Sequence, residues 1–242
     1  MSSSPAYPII DSHIHLFPSS ELETLAWNNP AHPLWSQHSL TEYKAATSSL
    51  PQLEGFIFLE VDRKHDLSTN DWSNPLKEVN FLKRIALGTP RDGEGHTAAD
   101  SKLCLAIIPW APLPSGVEAL EKYMQLVKEE AGEAWPKIKG LRYLVQRKPK
   151  GTMLAGDFIE GLKWMGRKGL VFDVGVDLRQ GGKWQLEEAV EMIKLAHENV
   201  NEEEKVTFII SKSRAFLFTF FSQSHANYEI TRPSLQTRSH NL

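Results

Sequence analysis

The sequence predicts an α/β fold in which parallel β-strands alternate with α-helices. Two observations predict it: short apolar runs recur along the chain, and amphipathic segments with apolar residues at helical spacing separate them. The runs are apolar nearly throughout, which is typical of parallel strands covered by helices on their faces and joined by right-handed crossovers. This pattern alone leaves two architectures open, an open doubly wound sheet and a (β/α)8 barrel.

Six runs are candidate strands, and helical segments lie between them. The predicted strands cover residues 7–17, 55–62, 103–109, 138–146, 169–177 and 205–211. The predicted helices cover residues 40–48, 75–87, 115–130, 157–167 and 184–199. Ser115 followed by Glu118 has the spacing of a capping box, so we expect the third helix to begin there with that hydrogen-bonded cap.

Composition and charge exclude several classes of function. The 242 residues are 41% apolar and carry a net charge of −3, which gives no electrostatic drive toward nucleic acid or an anionic membrane. No apolar run is long enough to span a bilayer, and the single Cys104 cannot form an intramolecular disulfide. We therefore expect a cytoplasmic protein with no nucleic-acid or membrane partner; a homo-oligomer is compatible with the sequence.

The first predicted strand carries the most informative polar residues. Asp11, His13 and His15 alternate along it, so a regular strand would place all three side chains on one face. The two imidazoles could then converge on one divalent metal ion, and an open catalytic zinc site would also hold water. The alternative is a hydrogen-bonded trio at a strand end. A Gly-rich phosphate-binding turn does not follow this strand, so nucleotide binding is not supported.

The segment Ile9-Ile-Asp-Ser-His-Ile-His-Leu-Phe-Pro18 resembles the opening strand of amidohydrolase-related proteins, in particular the lactonase branch that acts on L-rhamnonolactone and L-fuconolactone. The resemblance covers residues 8–210 and continues in order through four further segments. These are Gly55–Glu60, Cys104–Pro112, Lys139–Gln146 and Gly169–Asp177. It implies a TIM-like (β/α)8 barrel of the metal-dependent hydrolase superfamily, with its site at the carboxyl ends of the strands.

The resemblance also implies roles for individual residues. His13 and His15 correspond to metal ligands in the members that bind a metal, with zinc as the candidate; other members need none. Arg142 matches the Gly-x-Arg of the fourth strand, where a guanidinium suits a carboxylate or an oxyanion; the alternative is an ion pair with a neighbouring acid. Four polar residues near strand ends could line the pocket or simply pair with their neighbours. Of these four, Glu60 and Gln146 are the substrate-binding candidates, and Asp173 and Asp177 are catalytic candidates. Asp11 and Arg142 complete the catalytic set.

The reaction implied is opening of a sugar-derived lactone, a small-molecule substrate, by attack of water on the ring ester. A decarboxylase, which is a lyase of the same superfamily, is the first alternative. A catalytically incompetent fragment is the second alternative.

The last 31 residues depart from the family pattern. Where the family's sixth strand leads into a histidine and then Lys-Pro, this chain has Ile210-Ser-Lys-Ser-Arg214. We therefore expect an incomplete barrel truncated to about six strands over residues 1–211, followed by an aberrant or disordered tail over residues 212–242.

Overall fold

The computed structural model describes residues 7–178 and 181–211, and within them six β-strands alternate with five α-helices, as the sequence predicts. The strands are β1 (Ile9–Ile14), β2 (Leu53–Leu59), β3 (Cys104–Ile108), β4 (Gly140–Arg142), β5 (Val171–Gly175) and β6 (Thr207–Ser211). The helices are α1 (Leu40–Ala46), α2 (Ser73–Leu87), α3 (Gly116–Ala131), α4 (Gly156–Arg167) and α5 (Lys183–His197).

All ladders between these strands are parallel, and every strand lies beside its neighbour in the chain. One sheet has the order β1-β2-β3 and the other has the order β4-β5-β6. Parallel bridges from Ile107 to Ile138 and from Trp110 to Arg142 join β3 to the fourth strand segment. A doubly wound sheet reverses its strand order at a switch point, and the described strands show no such reversal. They also form no closed barrel.

The helices cover one face of the strands through aromatic contacts. Phe56 on β2 meets Tyr43 of α1 with ring centroids 5.5 Å apart, and Phe172 on β5 meets Phe158 of α4 at 5.8 Å. Phe56 and Phe158 are completely buried. Burial of each such side chain contributes about 1.5–3 kcal/mol, so these contacts fix the helices against the sheet.

Helix α3 begins where the sequence predicts, but without the predicted cap. Ser115 precedes the helix, but its hydroxyl makes no capping hydrogen bond. A short turn over Leu113–Ser115 leads into the helix, and Gly116 begins it with φ at +81°, a conformation that glycine adopts without steric cost. The predicted capping box is therefore wrong, because the backbone turns sharply at the position where a capping serine would be extended.

Strand β4 lies very close to β5 at Gly140. A Cβ atom at this position would lie 2.3 Å from the carbonyl oxygen of Val171, so only glycine fits there. The close approach sets Arg142, two residues further along β4, directly beside Asp173 in the parallel register.

The predicted tail, residues 212–242, lies outside the described residues. Within the described part of the chain, no helix is both long enough and apolar enough to cross a membrane.

Candidate active site

Strand β1 is irregular between Asp11 and Ile14. In its parallel register with β2, Asp11 is paired with Phe56 and Ile14 with Phe58, so three steps along β1 match two steps along β2. This is a β-bulge, and a bulge changes which face of the sheet the following side chains occupy. The regular alternation of side chains that the sequence predicts for Asp11, His13 and His15 is therefore interrupted between Asp11 and Ile14.

The bulge separates Asp11 from the two histidines. Asp11 pairs with Phe56, which faces α1, and its carboxylate lies near the hydroxyl of Tyr43. Burial and this carboxylate raise the pKa of Tyr43 to about 12. Asp11 Oδ1 also accepts a hydrogen bond of 3.2 Å from the backbone N–H of His13. The register therefore places Asp11 on the face of α1 and not on the face predicted for it with His13 and His15; its catalytic role stays a prediction.

His13 and His15 do converge. Their Nε2 atoms lie 3.1 Å apart, with the two rings perpendicular and their centroids 4.9 Å apart. Nδ1 of His15 lies 2.9 Å from the carbonyl oxygen of Leu59, the last residue of β2. A carbonyl can only accept, so Nδ1 of His15 carries the proton and Nε2 presents a lone pair when the ring is neutral.

The donor set of this pair fits half of a zinc site. Two nitrogens that each lie about 2.05 Å from one tetrahedral ion would be about 3.3 Å apart, close to the spacing found here. The Leu59 carbonyl supplies the outer hydrogen bond that orients a ligating imidazole. Within the described residues, no group of three or more His, Cys, Asp or Glu side chains could hold a metal ion.

Arg142 lies between two buried acids at the same edge of the sheet. Its Nε atom is 3.5 Å from Glu60 Oε1 and 3.2 Å from Asp173 Oδ2. The side chains of all three residues are at most 3% exposed. The structure thus brings together three predicted site residues, Glu60, Arg142 and Asp173. Arg142 forms the ion pair given above as its alternative role, and it does so with both acids.

Gly175 provides the space that the Arg142 side chain occupies. A Cβ atom at Gly175 would lie 2.9 Å from Nη2 of Arg142. Asp173 and Gly175 are two residues apart on β5 and therefore face the same side of the sheet. The guanidinium packs over β5 because Asp173 attracts it and Gly175 leaves room for it.

The protonation of Glu60 is strongly affected by its surroundings. Burial raises the pKa of Glu60 to about 7; the charge of Arg142 opposes this shift, and Asp62 reinforces it. One carboxylate oxygen accepts a 2.6 Å hydrogen bond from the backbone N–H of Asp62. A carboxyl group with a pKa near neutrality can exchange a proton at physiological pH, which is a property of general acids and bases.

A second buried acid, Glu78 on α2, lies close enough to Glu60 for their charges to interact. Its Oε1 accepts hydrogen bonds from Val61 N–H at 3.2 Å and from Arg63 Nε at 3.3 Å. Burial raises the pKa of Glu78 to about 8; Arg63 opposes the shift and Glu60 adds to it. Sequence reasoning missed Glu78, although a glutamate within the apolar stripe of an amphipathic helix was a signal that could have identified it.

Gln146 and Asp177 lie on loops farther along the same edge. The backbone N–H of Asp177 donates to Gln185 Oε1 at 3.0 Å, and Gln185 Nε2 donates to the carbonyl oxygen of Gln146 at 2.7 Å. Gln185, a buried residue of α5, therefore ties these two loops together and was also missed. The roles predicted for the side chains of Gln146 and Asp177 stay predictions.

Cys104 has no part in this chemistry. It is a fully buried free thiol on β3, and burial raises its pKa to about 12. A thiol that is protonated and sealed from solvent does not act as a nucleophile at neutral pH. The site thus consists of imidazoles, carboxylates and a guanidinium.

Comparison with known proteins shows that the chain is similar in sequence to a curated lactonase. Over 192 residues the chain is 35% identical to an L-rhamnono-gamma-lactonase of Scheffersomyces stipitis, an alignment that covers 78% of this chain and 57% of the relative. The chain therefore spans less than two thirds of that relative's length. No protein-family profile matches the chain.

Two solved structures of an amidohydrolase from Burkholderia multivorans share the fold. One contains bound zinc and superimposes with a TM-score of 0.52, covering 77% of this chain and 54% of that one. The other contains bound HEPES and gives a TM-score of 0.51, covering 77% and 53%. Sequence identity is 18% in both cases. Together with the curated relative, these similarities confirm the resemblance to amidohydrolase-related proteins and their lactonase branch.

Proposed function

We propose that this protein is a hydrolase that opens a sugar-derived lactone by adding water to the ring ester. The observation that carries the proposal is the convergence of His13 and His15 at the strand edge that also holds the Glu60–Arg142–Asp173 cluster. The lactonase relative supplies the substrate class, because its name specifies a γ-lactone of a sugar acid. We further propose that the six described strands are part of a (β/α)8 barrel, which their sequential parallel order supports.

His13 and His15 are the residues that would hold a divalent metal ion. A bound zinc ion would supply Lewis acidity toward the ester carbonyl and would make water easier to deprotonate. The Leu59 carbonyl keeps the proton of His15 on Nδ1, so the lone pair of Nε2, which faces Nε2 of His13 at 3.1 Å, is the one that would bind a metal. Asp11 supports this arrangement indirectly by holding the backbone N–H of His13 in the bulge.

Glu60 is the residue best suited to move a proton. With a pKa of about 7, its carboxylate form can accept a proton from the attacking water, and its acid form can deliver one to the ring oxygen as the C–O bond breaks. Arg142 donates hydrogen bonds to negative charge, which develops first on the carbonyl oxygen and then on the product carboxylate. Asp173 and Glu60 keep the guanidinium in place between them.

The proposed reaction balances without a redox partner. The oxygen of water forms a bond to the carbonyl carbon, the ring C–O bond breaks, and the former ring oxygen leaves as a hydroxyl group. At neutral pH the product acid ionises and releases one proton for each ring opened. Acid release therefore measures the reaction directly.

The test is a pH-stat assay of the full 242-residue chain with L-rhamnono-γ-lactone, with zinc added or with a chelator. We expect base consumption equal to ring opening, lost in Arg142→Met and in His13→Ala. His32→Ala is the matched control, because His32 is an exposed histidine of the loop after β1.

Two outcomes would contradict the proposal. Release of carbon dioxide from a carboxylic acid substrate, without lactone opening, would indicate the decarboxylase alternative. Absence of acid release from the folded chain with zinc supplied would show that this chain does not catalyse lactone hydrolysis.

A further inference from the structure

His65 lies over the carboxyl ends of β2, β3 and β4 and was not among the predicted site residues. Its ring packs against Trp110, with centroids 4.4 Å apart, and lies 6.4 Å from the ring of Tyr143. Trp110 forms a parallel bridge to Arg142, and Tyr143 follows Arg142 directly in the chain. These contacts place His65 next to the strand ends that carry the Arg142 cluster.

The proton of the neutral His65 ring has a fixed position. Nδ1 lies 2.8 Å from the carbonyl oxygen of Arg63, and a carbonyl can only accept, so Nδ1 is the donor. Nε2 then presents a lone pair. This atom makes no hydrogen bond within the described part of the chain, and it is not among the polar atoms sealed from solvent there. His65 is half-buried, so its Nε2 atom is an acceptor that a ligand can reach, on a ring held by the Arg63 carbonyl and by Trp110.

Burial favours the neutral form of the His65 ring. Burial lowers its pKa, and the positive charge of Lys148, from the segment after β4, lowers it further. The Arg63 carbonyl and the carboxylates of Asp62 and Asp66 oppose the shift without reversing it. Tyr143, packed on the same ring cluster, stays protonated because burial and Asp62 raise its pKa to about 12.

We propose that His65 determines substrate specificity by accepting, at Nε2, a hydrogen bond from a hydroxyl group of the polyhydroxylated lactone. This inference rests on the proposed function, because it concerns the same strand edge and the same substrate class. A lactone derived from a sugar carries several hydroxyl donors, whereas an unsubstituted lactone carries none. Because the proton of the neutral ring already points to the Arg63 carbonyl, Nε2 can form a hydrogen bond only with a donor.

The experiment measures binding by NMR on the full chain labelled with ¹⁵N-histidine, using L-rhamnono-γ-lactone and γ-butyrolactone as probes. We expect the Nε2 resonance of His65 to shift with the first probe and not with the second. His65→Phe should weaken binding of the sugar lactone by about tenfold, the equivalent of one hydrogen bond, and leave γ-butyrolactone unaffected. His65→Gln, whose amide oxygen can occupy the position of Nε2, should restore most of the affinity.

Each result decides the proposal. Equal losses for both probes in His65→Phe, no loss for either, or failure of His65→Gln to restore affinity would overturn it, as would absence of binding by the wild-type chain. His32→Gln is the matched control, since His32 lies in an exposed loop. If the sugar lactone binds through His65 but is not hydrolysed, the role proposed for His65 is supported and the proposed reaction is wrong. If the lactone is hydrolysed and His65→Phe changes neither binding nor hydrolysis, the proposed reaction is supported and the role of His65 is wrong.

Discussion

The carbonyl oxygen of Leu59 holds Nδ1 of His15 at 2.9 Å and thereby directs Nε2 of that ring toward His13. The next residue in the chain, Glu60, pairs with Arg142. Two consecutive residues at the end of β2 therefore connect the histidine pair with the buried ion cluster. This connection explains why both groups lie at the same edge of the sheet.

Removing either histidine should weaken zinc binding. We expect His13→Ala and His15→Ala to reduce zinc affinity by about 100-fold or more, because each removes one of two converging nitrogens. Competition with a chromogenic chelator on the full chain measures this affinity. His32→Ala should bind zinc like the wild type, and a His15→Ala chain that still bound zinc normally would exclude this pair as the metal site.

Arg142 should matter for stability as well as for chemistry. Arg142→Met leaves Glu60 and Asp173 buried without their cation, and we expect it to lower the free energy of unfolding by about 3–5 kcal/mol at pH 8. Arg142→Lys keeps the charge and should lose less. Urea unfolding followed by tryptophan fluorescence gives both values. Equal stability of Arg142→Met and the wild type would mean that the acids are protonated or otherwise compensated.

The buried acids make a definite prediction about pH. The folded-state pKa of Glu78, about 8, exceeds its ordinary value of 4.5, so the folded chain binds the proton more tightly than the unfolded chain. The contribution of Glu78 to the free energy of unfolding should therefore fall as pH rises from about 4.5 to 8, with a slope on the order of 1 kcal/mol per pH unit. Glu60 contributes in the same direction up to about pH 7.

Glu78→Gln tests this linkage by removing the ionisable group while keeping its shape. The decline between pH 7 and 8 should flatten in urea unfolding curves measured at pH 5, 6, 7 and 8. Glu118→Gln, at an exposed position on α3, is the control and should leave the pH profile unchanged. An unchanged or steeper decline in Glu78→Gln would contradict the shift assigned to this carboxyl.

The sequence was sufficient for the elements because their signals are local. Apolar periodicity within each segment identified all six strands and five helices of the described chain, with ends displaced by a few residues. The β1 bulge could not be predicted in the same way, since it depends on how β1 pairs with β2. The one-face interpretation of Asp11, His13 and His15 failed for that reason.

The same distinction between local signals and contacts distant in the chain applies to the candidate site. Placing Glu60, Arg142 and Asp173 near strand ends required only the strand limits, whereas their mutual contacts depend on the parallel register and on the twist of the sheet. Gln185 and His65 were missed because their roles come from contacts between loops and helices distant in the chain.

Gly175 offers the sharpest test of how the Arg142 side chain is positioned. Gly175→Ala would place a methyl group 2.9 Å from Nη2 of Arg142, so the guanidinium must shift from its present position beside Asp173. We expect a loss of about 1–3 kcal/mol in the free energy of unfolding, typical of overpacking, and a fall in lactone hydrolysis. Gly156→Ala is the matched control, because no atom lies within 4 Å of a Cβ atom there. If Gly175→Ala left both stability and hydrolysis at the wild-type level, the guanidinium would not need its position over β5, and the role given to Arg142 in the reaction would have to be assigned to another group.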